Sequence, residues 1–207
     1  FIQLAGAWEK TLGPQFALRF YAAAVGEPAL GPPAFVHRLS ASANPTAPLS
    51  HHNQDSTHIS YDVLTLGLKA SIFTLEGSGF HGADPDENRW DIEAGPIDSY
   101  AVRLTAVPLP GLTVQLSGGH LTSPEAVEPG EDQNRFTGML AYERAFSRGF
   151  LAVSLITGQN QEHGSRFWWT NLEWTWKFAD CNTVYGRFEA VDRDLFELRF
   201  KRQRPEE

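Results

Sequence analysis

The chain has 207 residues, 42% of them hydrophobic and 20% charged, the balance of an ordinary folded protein. A net charge of −8 argues against a nucleic-acid partner, because little here would neutralise a phosphate backbone. The single cysteine, Cys181, excludes an internal disulfide, and no apolar run reaches the about 18 residues of a transmembrane helix, although membrane-crossing strands would leave no such run.

Taken in order, the chain alternates. Ile2, Leu4, Gly6 and Trp8 oppose Gln3, Ala5, Ala7 and Glu9, and after a turn at Leu12-Gly13-Pro14 a second run covers 15–25. A long connection follows, from Gly26 to Thr57, with Pro28, Pro32, Pro33, Pro45 and Pro48 and little periodicity. The hairpin expected over 58–80 then sets Leu64, Leu66 and Leu68 against Thr65, Gly67 and Lys69 and turns near Lys69-Ala70. Residues 81–98 form an acidic loop with Asp84, Asp86, Glu87, Asp91 and Glu93. Strands over 99–107 and 112–120 flank Pro108-Leu109-Pro110-Gly111 and lead to a third loop, 121–134, with Glu125, Glu128, Glu131 and Asp132. Strands over 135–145 and 150–158 turn at Ser147-Arg148-Gly149, a shorter loop covers 159–165, and strands over 166–179 and 183–191 turn at Asp180-Cys181-Asn182. A last run, Leu195 to Phe200, reads as the start of another strand, and the basic cluster Arg199 to Arg204 as a strand end or tail. Period-two alternation with these short turns predicts an all-β, antiparallel up-and-down meander of about ten strands.

The connections alternate short and long. In an up-and-down sheet all short turns then fall at one end and the long loops, near 26–57, 81–98, 121–134 and 159–165, at the other. Short turns at one end and long loops at the other are the pattern of a transmembrane β-barrel. One face of the strand over 166–179 carries Trp168, Thr170, Leu172, Trp174, Trp176 and Phe178, with rings at both ends of an apolar face, and the opposite face carries Asn171, Glu173, Thr175 and Lys177.

On these features, and on the strings His51-His52-Asn53-Gln54-Asp55-Ser56-Thr57-His58-Ile59-Ser60 and Asp84-Pro85-Asp86-Glu87-Asn88-Arg89, the chain resembles bacterial outer-membrane β-barrels of the porin-like kind, in an uncharacterised environmental branch. The resemblance implies a Gram-negative outer-membrane location, lipid around the barrel, and passive passage of small solutes or ions, with no functional residue carried over. It also leaves a homo-oligomer open. Barrels of this kind usually end on a C-terminal aromatic residue, whereas this chain ends at Glu207 and begins inside an alternating run. The expectation is one partial barrel, truncated at both ends. Two alternatives stand beside the channel: a non-conducting barrel with surface-binding loops, and a soluble β-barrel ligand-binding protein with its apolar face turned inward.

Charged residues on the polar strand faces are the candidate lumen lining: Arg19, Arg103, Glu173, Lys177, Arg187 and Glu189. Their roles would be electrostatic, setting selectivity. All seven histidines, His37, His51, His52, His58, His81, His120 and His163, fall in the connections or at the strand ends beside them. Among them His51, His52, Asp55 and His58 are candidate ligands for a divalent metal at the loop rim. Their spacing matches no established zinc pattern, and hydrogen bonding within an ordered loop folded into the lumen explains them more simply. Ser56, Asp55 and His58 supply the residue types of a catalytic triad, but adjacency in sequence is not triad geometry, and the chain reads as a non-enzyme.

Overall fold

A computed structural model describes residues 4–85, 92–125 and 129–192. The run Leu195–Phe200 and the basic cluster lie outside them, as do Asp86, Glu87, Asp91 and Glu128 of the acidic loops.

Among the described residues the alternating runs form ten strands, β1 Leu4–Gly13, β2 Phe16–Gly26, β3 Ser60–Ala70, β4 Phe73–His81, β5 Ser99–Leu109, β6 Leu112–Leu121, β7 Gln133–Phe146, β8 Gly149–Glu162, β9 Ser165–Phe178 and β10 Asn182–Val191. They make a single antiparallel sheet in sequence order, with β1 and β10 at its two edges. The sheet is an open meander. Short hairpin turns join the paired strands, and Ser71, Gly111, Ala179 and Asp180 take the left-handed backbone there.

One expected loop is absent. Residues 159–162 continue β8 and Ser165 begins β9, so only His163-Gly164 connects them. Both residues have positive φ, 51° and 70°, the signature of a two-residue type I′ turn that matches the twist of the flanking strands. Gln159, Asn160, Gln161 and Glu162 lack apolar alternation, and the ladder to β9 (Gln159↔Trp168, Asn160↔Phe167) holds them extended instead.

Register decides which side chains share a face. Leu18, Leu68, Leu75, Leu104 and Leu116 are successive cross-strand partners from β2 to β6. Leu140, Leu155, Leu172 and Phe188 continue an apolar row from β7 to β10. One residue along, the row reads Glu9, Arg19, Gly67, Glu76, Arg103, Ser117 and Thr137, on the opposite face. The apolar rows are open: Leu66 is 68% and Leu116 60% exposed, and Trp8, Phe20, Leu64, Phe136, Leu140 and Trp168 are exposed with them. Phe16, Phe73, Phe146 and Trp176 lie towards the hairpin end of this open face, and Tyr100, Phe136 and Trp168 towards the other.

The opposite face is covered by the chain's own long connection, residues 27–59. Its prolines and scarce periodicity preclude a strand or a long helix. It folds as three 3-10 turns, Phe35–His37, Leu39–Ala41 and Ser56–His58, and one helical turn, α1 His51–Gln54. Leu30 packs into a small apolar cluster with Ala23, Val63, Phe80, Ala101 and Leu121. A second cluster on the same side, Met139, Ala141, Ile156 and Trp169, fills the sheet beneath β7 to β9. Elsewhere the covered face is polar, and Thr65, Ser78, Gln115, Ser117, Thr137, Ser154, Asn171, Glu173 and Thr175 are all buried.

Candidate functional site

The site is the polar face together with the segment that crosses it. A covering segment without regular secondary structure leaves most of its backbone groups to be satisfied elsewhere, and the strand side chains supply partners. Ser78 Oγ accepts from Ala29 N (2.7 Å) on β4, and Ser117 Oγ from Gly31 N (2.8 Å) on β6. Thr175 Oγ1 donates to Ser40 O (2.8 Å) on β9, and Arg187 Nη1 to Thr46 O (3.0 Å) on β10. Glu189 accepts from Leu49 N (3.0 Å), Ser50 N (3.1 Å) and Ser50 Oγ (2.8 Å). On the return path Arg135 Nη2 of β7 donates to His52 O and Ser56 Oγ, both at 3.1 Å. The segment thus runs from β4 to the far edge and back.

Its centre is an ion network built on Arg38, the one arginine or lysine between residues 26 and 57. Arg38 Nε donates to Glu173 Oε1 (2.7 Å) and Nη1 to Asp55 Oδ2 (2.6 Å). Both carboxylate side chains are 1% exposed and the Arg38 side chain 3%. Glu173 also accepts from Ser40 Oγ (2.9 Å), so the Ser154 hydroxyl, 2.8 Å from Ser40 Oγ, is the donor of that pair. Arg187 lies 3.5 Å from the other oxygen of Glu173. Asp55 further accepts from Phe35 N and bonds to His51 Nδ1. Charges this deep persist because each is paired and hydrogen-bonded.

The other sequence candidates fall into place around this network. Arg19 faces Glu9 at 3.2 Å and Glu76 at 3.9 Å, and Arg103 faces Glu76 at 3.0 Å. Strands β1 to β5 and the start of the covering segment line a cavity of about 290 Å³, with Arg19, Tyr21, Glu27, Thr65, Glu76 and Arg103 among its walls. Lys177 lies on the same face, opposite Thr183 and Phe150 in the ladder, but is exposed. Arg187 lies beside Glu173, and Arg38 stands closer to it still. Glu189 serves the backbone of the covering segment.

The rim histidines sit beside acids or carbonyls. His37 meets Glu27 at 2.9 Å, His81 meets Asp98 at 3.3 Å, His120 meets Asp132 at 3.6 Å, and His163 meets Glu131 at 3.5 Å. The rings of His51 and His58 stand 5.1 Å apart, and those of His51 and His52 5.4 Å. Burial first, and the neighbouring His51 second, push the His58 imidazole below its ordinary value, against the pull of its hydrogen bond to Asp55 O. Of the four candidate metal ligands, Asp55 is engaged by Arg38, Phe35 and His51, and His58 Nδ1 by a carbonyl. Among the described residues the donor atoms that converge are those of His52, Asp84 and Glu125, within 4.8 Å of one another. Ser56 Oγ accepts from Arg135, so the bonds of Ser56, Asp55 and His58 run to other groups than one another's side chains.

Sequence reasoning singled out Asp55, Glu173, Arg187 and Glu189 but missed Arg38, Ser40, Arg135 and Ser154. A lone arginine in a proline-rich connection, and polar residues at every second position of strands whose other face is leucine, were the available signals. No family model, curated protein or solved structure matches this chain. The class that fold and site define is an open ten-stranded antiparallel meander whose polar face is bridged by its own connection.

Proposed function

We propose that the chain is part of an outer-membrane β-barrel that passes small solutes or ions along a polar interior narrowed by residues 27–59. The observation that carries this reading is the sidedness of the sheet. Leucines and aromatics line the open face, while Arg19, Glu76, Arg103, Glu173 and Arg187 line the covered one. A soluble barrel would turn these faces the other way. Removing a side chain such as Leu or Phe from water is worth about 1.5–3 kcal/mol, so an open face of this composition favours an apolar surrounding. Aromatic residues towards both ends of that face suit the two membrane interfaces. In this reading β1 and β10 pair with further strands to close the barrel, and solutes pass through the cavity at Arg19, Glu76 and Arg103. Acidic side chains at the loop end, Glu27, Asp84, Asp98, Glu125, Glu131 and Asp132, would draw cations to the mouth.

The hydrogen bonds that tie the covering segment from β4 to β10 favour a second reading, a closed plug with function in the external connections. Single-channel recording in a planar bilayer separates the two. Stepwise current from the wild-type protein supports the channel. Insertion without current, in wild type and in an Arg38→Met variant alike, moves the function to the connections. A protein that stays folded and monodisperse without detergent overturns the membrane assignment.

A further inference from the structure

We propose that His52, Asp84 and Glu125 form a site for one divalent transition-metal ion of the zinc class, which staples the covering segment to two of the long connections. The three residues come from three separate stretches: α1, the connection after β4 and the connection after β6. Their donor atoms, one imidazole nitrogen and two carboxylate oxygens, lie within 4.8 Å of one another. Zinc binds such atoms at about 2.0–2.2 Å, so small side-chain rotations bring the three onto one ion. One nitrogen and two oxygens suit a borderline ion better than calcium, which takes oxygen alone.

The main chains of the ligands are already anchored. Asp84 N donates to Pro124 O at 2.9 Å, fixing Asp84 beside Glu125, and Arg135 Nη2 holds His52 O at 3.1 Å.

The inference does not depend on the channel reading, because binding is read without current. The chelator-treated protein is titrated with zinc chloride by isothermal calorimetry, beside His52→Ala, Asp84→Asn, Glu125→Gln and the control His37→Ala. One saturable site is expected in the wild type and in the control, with affinity at least about tenfold weaker in each ligand variant. Asp84→Asn and Glu125→Gln keep the size and shape of the side chains they replace, so they decide the matter even if His52→Ala disturbs α1. Wild-type protein without saturable zinc uptake, or Asp84→Asn and Glu125→Gln variants within about threefold of wild type, would overturn the site. So would zinc binding that is lost only in a His51→Ala/His58→Ala variant.

Discussion

Replacing Arg38 by methionine tests whether the covering segment is held by its buried ion network. The substitution keeps an unbranched aliphatic stem but removes the cation shared by Asp55 and Glu173. Breaking a buried pair from one side costs about 3–5 kcal/mol, because a charge is left uncompensated. Here both carboxylates keep other partners. Asp55 retains Phe35 N and His51, and Glu173 retains Ser40 Oγ, Asn171 Nδ2 and Arg187. The lower end applies, about 3 kcal/mol, which at about 1.4 kcal/mol per factor of ten shifts the undocking equilibrium more than a hundredfold. Amide hydrogen exchange reads this directly. Within the segment, Ala41, Gln54 and Asp55 donate amides to carbonyls of the same segment, so their protection should fall about a hundredfold as the docked state opens. The ladder from β8 to β9 has its own hydrogen bonds and should keep its protection. A change below about threefold in the segment, or an equal fall in β8 and β9, would refute a locally docked segment held by Arg38.

Three further outcomes are expected. Gly31 has φ +72° and an added Cβ would stand 2.3 Å from Gln54 O, so Gly31→Ala should loosen the segment by about 2–3 kcal/mol, measured by the same exchange experiment. His58 has its folded value lowered below 6.5, so the undocked segment binds protons more readily. Docking should be strongest above that pH and weaken as the pH falls through the lowered value, and a His58→Gln variant should flatten the dependence. On the open face, Leu66→Arg should impair insertion into lipid vesicles by about 2–4 kcal/mol if that face meets hydrocarbon. Insertion equal to wild type, scored by heat-modifiable mobility, would count against the membrane reading.

The fold was largely legible because strand periodicity is local. Leu64, Leu66 and Leu68 must share a face whatever the chain does elsewhere, and Pro, Gly and short polar residues mark the turns. The tight turn at His163-Gly164 is not legible in the same way, because Gln159 to Glu162 lack alternation and their extended form comes from pairing with β9 rather than from their own composition. Periodicity gives two faces but not which is covered. That was decided by residues 27–59, whose placement rests on contacts more than a hundred residues apart in sequence, such as Arg38 with Glu173 and Ser50 with Glu189. The candidate site divides the same way. Glu173, Arg187 and Glu189 were identifiable as charged residues at polar strand positions. Their real partners were not, because Arg38 and Ser50 lie in a stretch with no period to assign them a direction. Asp84 and Glu125 were visible only as acidic loop residues, and their meeting with His52 depends on how three connections are brought to one end of the sheet. Sequence alone determined the alternation and the turns, since these follow from neighbouring residues. Tertiary structure alone decided the covered face, the partners of each charge and the convergence of the connections, since these follow from strand register and from where a non-repetitive segment finds its hydrogen bonds.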